Sequence, residues 1–122
     1  MYARVTFCTG QMDKIDEASK IIRDSVIPAF KKQKGSQKYL FLTDRASGKV
    51  MAISLWNTEA DMKSGESEYH QKQFAKVAPF ATGPATTEFY EVTVQGLTAK
   101  RLLRFFPTNF SIVLQSFKQR IA

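Results

Sequence analysis

A chain of 122 residues with 43% hydrophobic residues is the size of one domain and can bury a core without disulfides or metal. Its one cysteine excludes an intrachain disulfide and a cysteine-based metal site, and no apolar run reaches the roughly 20 residues of a membrane-spanning helix. The N-terminal residues MYARVTF read at once as a strand. We therefore expect no signal peptide and a cytoplasmic location.

The net charge of +7 is unevenly distributed along the chain. Residues 1–95 contain 13 of the 18 basic residues and all 11 acidic ones, whereas residues 96–122 contain five basic residues and no acid. The main body therefore lacks the basic excess that is typical of nucleic-acid-binding domains, and neither nucleic acid nor a membrane is the expected partner. For the tail, a solvated helix face is the simpler interpretation, while the run KRLLRFF leaves open association with an anionic membrane or nucleic acid.

The first two predicted elements are a strand and a helix. Residues 2–9 alternate, so that Arg4, Thr6 and Cys8 share one face of the strand. After Gly10, Asp13 is a candidate helix N-cap, and apolar residues at positions 15, 18, 22 and 26 have helical spacing. Proline at position 28 predicts a kink or break in this helix.

The next elements form a hairpin that leads into a second helix. Residues 37–43 and 50–56 read as strands, and the polar turn DRASGK joins them. In the second strand both faces are apolar, which favours a central position in the sheet. Thr58, with Asp61 three residues later, predicts a helix start. Trp56 is thereby placed at a strand end beside a helix N-terminus.

The remaining elements complete a β-α-β-β-α-β order. The second helical region is interrupted by Gly65, has Ser67 as a candidate new cap, and is followed by a strand over residues 87–95. This order predicts a ferredoxin-like α+β fold with an antiparallel sheet. Helices can cover only one face of that sheet, yet both faces carry apolar residues, so we predict a homodimer that packs sheet to sheet.

The chain divides into two predicted parts. We expect residues 1–95 to form the ferredoxin-like domain. Residues 96–122 are predicted to add a basic amphipathic helical extension that packs on the dimer, because Phe110, Val113, Leu114, Phe117 and Ile121 form one apolar stripe.

Three segments resemble a known family. They are IPAFKKQKG (27–35), SGKVMAISLWNTEAD (47–61) and EFYEVTV (88–94). With the order of elements, they resemble the antibiotic-biosynthesis-monooxygenase-like family of dimeric α+β barrels over residues 2–95. The resemblance implies a homodimer, a pocket between helices and sheet in each subunit, and an activity among cofactor-independent oxygenases of phenols, quinol oxygenases or haem-degrading enzymes. The haem-degrading branch uses an Asn on the first strand and a Trp and His on the second helix. Here Cys8 or Thr9, Gly65 and Ala75 stand at about those places, so haem degradation is not expected.

Few residues offer proton-transfer chemistry. His70 is the only histidine, so no histidine-based metal cluster can form, and we expect no metal and no cofactor. A cofactor-free oxygenase needs a base that deprotonates a phenol, and His70 or Tyr69 is the candidate. An exposed or hydrogen-bonded surface histidine without a catalytic role is the alternative.

The other candidate residues concern ligand binding. Aromatic residues are the candidate lining of a pocket: Trp56, Tyr39, Phe41, Phe7 and Phe74. Asn57 could orient a carbonyl group or dioxygen. Arg4 could hold an acidic ligand group or pair with Glu88 or Glu91. Trp56 could equally be a core residue without a role in binding.

Two functions remain open from the sequence. One is a small-ligand pocket protein that acts as a cofactor-independent monooxygenase on an aromatic or quinol substrate. The other is a non-catalytic ligand-binding or interaction dimer with the same fold, which the small number of proton-transfer groups favours. Whether the protein is an enzyme is not decided by these residues.

Overall fold

The computed structural model describes residues 1–64, 68–96 and 98, which form an antiparallel sheet with a layer of helices. The strands are β1 (Tyr2–Thr9), β2 (Ser36–Asp44), β3 (Lys49–Trp56) and β4 (Thr86–Glu91). The helices are α1 (Ile15–Ile21), α2 (Ile27–Lys31), α3 (Glu59–Ser64) and α4 (Glu68–Val77). The ferredoxin-like α+β prediction is confirmed. The predicted interruption at Gly65, the cap at Ser67 and the helix of the C-terminal extension lie outside the described residues.

The strand order is β2-β3-β1-β4, with every neighbouring pair antiparallel. The central position predicted for β3 is confirmed. The register pairs Arg4 with Ser54 on one face and Phe7 with Met51 on the other. β4 ends four residues before the predicted end because its partner β1 begins at Tyr2, opposite Glu91. None of the described helices is long and apolar enough to cross a membrane.

The first helical region is irregular one turn before its proline. Between α1 and α2 the segment Ile22–Val26 is π-helical, and the N–H of Ile27 donates to the carbonyl of Ile22. Pro28, which has no N–H to donate, lies in the first turn of α2, directly after this π-helical segment. The chain stays helical through Pro28, so the predicted break at the proline is wrong, and the irregularity is the π-helical segment that precedes it.

The two predicted helix caps have different outcomes. The cap at Asp13 is wrong, because this residue lies inside a 3₁₀ turn, Met12–Lys14, whose N-cap position is Gln11. That turn begins the helical region through the N–H of Lys14, which donates to the carbonyl of Gln11 at 2.9 Å. The cap at Thr58 is confirmed, since its hydroxyl accepts the N–H of Asp61 at 3.1 Å.

The face of the sheet away from the helices exposes apolar side chains. Leu40, Leu42 and Tyr90 lie on this face and are 37%, 46% and 52% exposed. These residues lie on the two edge strands, β2 and β4, and an apolar sheet face left open in this way is a candidate interaction surface. The sheet-to-sheet homodimer remains a prediction for which this face is the support.

Gly35, in the turn before β2, is expected to tolerate substitution poorly. Its φ is +78°, and a Cβ placed there would lie 2.7 Å from the Cβ of Asp61 on α3. Gly35→Ala should therefore lower the free energy of unfolding by about 2–4 kcal/mol, from left-handed strain and overpacking together. Urea denaturation measures this change. The control is Gly83→Ala, where the nearest atom lies 3.7 Å away. Equal losses for both variants would contradict the prediction.

Candidate functional site

A partly enclosed cavity of about 120 Å³ lies between the sheet and the helices. Its floor is the helix-facing side of the two central strands and β2. Because side chains alternate along a strand, every second residue reaches it. The strand residues lining it are Arg4, Thr6, Cys8, Tyr39, Phe41, Val50, Ala52, Ser54 and Trp56.

The helical side of the cavity is largely apolar. α1 and the π-helical segment contribute Ile15, Ala18, Ile22 and Val26, in the spacing of one helix face. α4 contributes Tyr69, His70, Gln73, Phe74 and Val77. The cavity thus has aliphatic and aromatic walls, with its charged and titratable groups supplied mainly by β1, β2 and α4.

Arg4 places a positive charge in the interior. It is only 4% exposed, and its Nη2 donates to the main-chain carbonyl of Met62 on α3 at 2.6 Å. The guanidinium carbon lies 5.8 Å from the ring centroid of Trp56 and 5.8 Å from that of Phe89. Contacts of this type between a guanidinium and an aromatic face are favourable, the more so when desolvated. Arg4 is therefore held in a defined orientation in the cavity wall.

His70 contacts this guanidinium. The Nη1 of Arg4 lies 3.3 Å from Nδ1 of His70. A guanidinium can only donate, so Nδ1 is the acceptor, and the imidazole is the neutral tautomer with its proton on Nε2. The ring of His70 also stacks on Phe74, with centroids 6.4 Å apart. His70 is half-buried and lines the cavity, so its role as a base stays a prediction, and a hydrogen-bonded histidine without a catalytic role stays the alternative.

The two tyrosines of the cavity hold their protons tightly. Burial raises the pKa of Tyr39 to about 12. Burial, together with the nearby Tyr39, raises the pKa of Tyr69 to about 12, although Arg4 acts in the opposite direction. Burial also raises the pKa of the Cys8 thiol. Near neutral pH these groups are uncharged, so Tyr69 is suited to donate a hydrogen bond and not to act as a phenolate base.

Because Tyr39 is buried, the free energy of unfolding of the protein is expected to fall in alkaline solution. The unfolded tyrosine ionises near pH 10, but the folded one keeps its proton to about pH 12. Stability is therefore lost as pH rises from about 10 to 12, by about 1–3 kcal/mol for this residue. Tyr39→Phe should show a shallower decline over that range in urea denaturation followed by circular dichroism. Parallel curves for the wild type and the variant would contradict this assignment.

The structure brings together most of the predicted site residues. The cavity is lined by Arg4, Tyr39, Phe41, Trp56, Tyr69, His70 and Phe74. Phe7 is not among them, and its prediction is wrong, because its pairing with Met51 places it on the opposite face of the sheet. Asn57 is exposed beyond the end of β3, where its N–H donates to the carbonyl of Gly35 at 2.8 Å.

The predicted pairing of Arg4 with Glu88 is also wrong. Phe89 is the residue opposite Arg4 on β4, while Glu88 is opposite Val5 and therefore points to the other face. There the carboxylate of Glu88 accepts a hydrogen bond from the hydroxyl of Tyr90.

Three site residues were missed by the sequence analysis. Ser54 accepts the indole N–H of Trp56 at 3.0 Å, and the carbonyl of Met62 holds Arg4. Gln73 is buried against the cavity and accepts a hydrogen bond from Lys76 at 2.9 Å. Strand alternation could have identified Ser54, since it shares a face with Trp56. No sequence signal marks a main-chain carbonyl as a ligand of a distant arginine.

Metal binding has no support in the described part of the chain. Within residues 1–64 and 68–96, no three His, Cys, Asp or Glu side chains come together in a way that could hold a metal ion. The described polar groups that line the cavity include Arg4, His70, Tyr39 and Tyr69.

Sequence comparison finds two uncharacterized proteins from strains of Mycobacterium tuberculosis, each 30% identical over 89 residues. The match covers 73% of this chain, and the chain spans only 40% of the length of those relatives. No protein-family model matches the chain.

Structure comparison finds clear likenesses. The monooxygenase ActVA-Orf6 of Streptomyces coelicolor, solved with nanaomycin D, has a TM-score of 0.67 at 12% identity, covering 80% of this chain and 91% of its own. MhuD, solved with two manganese protoporphyrin IX molecules per active site, has a TM-score of 0.66 at 15% identity, covering 80% and 100%. A protein described as an antibiotic biosynthesis monooxygenase has a TM-score of 0.61 at 12% identity, covering 77% and 100%.

Sequence identities this low show a shared fold but not a shared activity. The resemblance read from the sequence is thus confirmed in its structural content: this chain has the ferredoxin-like α+β fold of the antibiotic biosynthesis monooxygenase-like proteins.

Proposed function

We propose that this protein binds a small, electron-rich aromatic molecule, a phenol or quinol, and oxidises it with dioxygen without a cofactor. The observation that carries the proposal is an aromatic-lined cavity with a buried guanidinium and the only histidine in contact at one end. Apolar pockets with a few convergent polar groups are the usual form of small-molecule sites. The monooxygenase ActVA-Orf6, which shares the fold, supports the same class of reaction.

The volume of the cavity favours a single ring. At about 120 Å³ it is slightly smaller than an engineered cavity of about 150 Å³ that binds benzene. Pockets for drug-sized ligands are roughly 300–1,000 Å³. A polycyclic phenol would have to displace wall residues, so a monocyclic phenol or hydroquinone is the proposed ligand.

The proposed reaction needs the ring oxygen at the Arg4 end of the cavity. Arg4 and His70 stabilise negative charge on that oxygen, which makes the ring electron-rich. The ring then gives one electron to dioxygen, and the two radicals combine into a carbon–peroxide bond. Protonation and loss of water convert that carbon to a carbonyl, so one oxygen atom enters the quinone product and the other leaves as water. The aromatic ring of the ligand lies between the side chains of Trp56 and Tyr39.

The role proposed for His70 as general base depends on its hydrogen bond with Arg4. In the structure Nδ1 accepts from Arg4, so the imidazole can take a proton there only when that contact breaks. The alternative is that His70 donates through Nε2 to an oxygen that is already ionised. Both roles place His70 at the reacting oxygen.

Binding is tested through the fluorescence of Trp56, the only tryptophan, which is buried in the cavity wall. Hydroquinone, 1,4-dihydroxynaphthalene and 9,10-dihydroxyanthracene are titrated without oxygen. We expect the one-ring compound to quench the fluorescence at the lowest concentration and the three-ring compound to have little effect. Oxygen consumption with the best ligand then tests catalysis.

A variant that fills the cavity gives the control. Ala52 lines the floor on β3, whereas its neighbour Met51 faces away from the cavity. Ala52→Leu should weaken binding about tenfold or more, and Met51→Leu should leave it unchanged. Absence of quenching by all three ligands, or equal binding by Ala52→Leu and the wild type, would refute the proposed pocket.

A porphyrin, the ligand in the MhuD structure, does not fit the described residues. The cavity is below half the volume of the smallest drug-sized pockets, and a macrocycle is larger than such ligands. The only histidine already uses Nδ1 to accept a hydrogen bond from Arg4. The proposed reaction therefore involves no porphyrin.

A non-catalytic dimer is the second candidate function. The specific observation in its favour is that Arg4 and His70 bond to each other, a stable arrangement in a site that only binds. For either function we propose a homodimer through the open sheet face with Leu40, Leu42 and Tyr90. Light scattering should give twice the monomer mass, and a monomer at all concentrations would contradict it.

A further inference from the structure

We propose that Gln73 limits the size of the ligand, because its side chain separates the cavity from a second space between the helices. This inference rests on the proposed aromatic pocket and concerns a residue that takes no part in the proposed reaction. Removal of this partition joins the two spaces and admits a ligand of two fused rings.

The second space is a groove of about 510 Å³ that is open to solvent. One of its walls is formed by helical residues between Asp24 and Gln33, and the other by residues of α4 between Glu68 and Gln73. Among the described residues of the groove, Tyr69 and Gln73 also line the cavity. They are four positions apart and therefore lie on the same face of α4. These two side chains form the partition between the cavity and the groove.

Tyr69 belongs to the packed interior as well as to the partition. Its ring packs against the buried cluster of Phe30, Trp56 and Met62. Displacement of Tyr69 would therefore expose part of the core. Gln73 is the member of the partition that can be shortened without loss of an aromatic contact, so it is the one to which we assign the size limit.

Glutamine is an unusual residue for this wall. Gln73 is 8% exposed, and among the residues of α4 it is the one that is fully buried. Burial of an amide is unfavourable unless its polar atoms are hydrogen-bonded, whereas an aliphatic side chain has no such requirement. Packing alone would favour leucine or methionine at this position, so a glutamine here calls for another reason.

A hydrogen-bonded bridge holds the partition closed. The ammonium of Lys76, three positions along α4, donates to Oε1 of Gln73 at 2.9 Å and to the hydroxyl of Ser25 at 2.7 Å. Ser25 lies in the π-helical segment Ile22–Val26 and lines the opposite wall of the groove. Single π-helical turns within helices are frequent at functional sites. The bridge thus fixes the amide of Gln73 across the gap between the two helical regions.

The size limit is tested with two aromatic molecules that have no hydroxyl group, so that the result does not depend on phenol chemistry. Benzene binds an apolar cavity of comparable volume, and indole adds a second fused ring. Affinities are obtained from the rise in melting temperature with ligand concentration, followed by circular dichroism. We expect the wild type to bind benzene more tightly than indole. In Gln73→Ala the affinity for indole should rise about tenfold or more, because its second ring gains buried surface, while that for benzene changes little.

Three further variants serve as controls. Gln73→Glu keeps the length of the side chain and its bond to Lys76, so it should exclude indole as the wild type does. Gln71→Ala alters an exposed neighbour on α4 and should change neither affinity. Lys76→Met removes the bridge but leaves Gln73 in place, and indole should bind about threefold more tightly than in the wild type. This last variant keeps the test decisive if Gln73→Ala does not fold.

The possible results separate the size limit from the proposed function. An equal gain for benzene and indole in Gln73→Ala would show that the substitution only loosens the fold, and it would overturn the inference. Unchanged affinity for indole, or absence of binding by both molecules in every variant, would overturn it as well. Admission of indole by Gln73→Ala, together with no binding of hydroquinone by the wild type, would support the size limit and refute the proposed phenol oxidation.

Discussion

Trp56→Ala is expected to lower the free energy of unfolding by about 3–5 kcal/mol, the usual loss for a buried tryptophan. Trp56 is 1% exposed and lies with Phe30 and Met62 in the central buried cluster. Its ring meets Phe30 edge-on, with centroids 5.2 Å apart, and it lies against Arg4. Truncation removes these contacts and the hydrogen bond to Ser54, and it enlarges the neighbouring cavity. Urea denaturation followed by far-ultraviolet circular dichroism measures the change.

The control for this variant is Met12→Ala. Met12 is a large apolar residue that is 56% exposed, so its truncation should change stability by about 0.5 kcal/mol or less. Trp56→Phe should be intermediate, because phenylalanine keeps an aromatic contact with Phe30 but leaves Ser54 without its donor. A loss below about 1 kcal/mol for Trp56→Ala would show that Trp56 does not support the core.

His70→Ala is expected to lower the rate of oxygen consumption with the best phenolic ligand by about 10²–10³-fold, the effect of removing one donor to a developing oxyanion. His70 lies beside Arg4 at the polar end of the cavity, where the reacting oxygen is proposed to bind. Binding of the ligand, measured by Trp56 fluorescence, should weaken by a smaller factor. Kinetics with a dissolved-oxygen electrode give both quantities.

Gln71→Ala is the matched control for His70→Ala. Gln71 is the next residue of α4 and is exposed, so its substitution should leave turnover and stability unchanged. Unchanged turnover in His70→Ala would remove this residue from the mechanism. Together with intact ligand binding, that result would favour the non-catalytic dimer.

The fold was predictable because its signals are local. Alternation over residues 2–9 and 50–56, the polar turn at DRASGK and the Thr58 cap each depend on neighbouring residues, and each agrees with the structure. The errors arose where a second element decides the outcome. β4 ends at Glu91 because its partner β1 begins at Tyr2, directly opposite. Asp13 is not a cap because a 3₁₀ turn, Met12–Lys14, begins the helical region.

The candidate site was predictable in part for the same reason. Arg4, Thr6 and Cys8 were grouped on one strand face from alternation alone, and all three line the cavity. The prediction of Phe7 as a pocket residue conflicts with this alternation, which puts Phe7 on the other face from Arg4, Thr6 and Cys8. The register with β3 shows that its side chain points to the other face of the sheet.

The order of elements, the central hairpin, the apolar character of both sheet faces and the position of the only tryptophan at a strand end can all be read from the amino-acid sequence. These follow from periodicity and turn chemistry, which act over a few residues. The contacts of Arg4 with His70, 66 positions away, and with the carbonyl of Met62, 58 positions away, are visible only in the folded chain. Such contacts depend on how strands pair and helices pack over the sheet, so no local pattern encodes them.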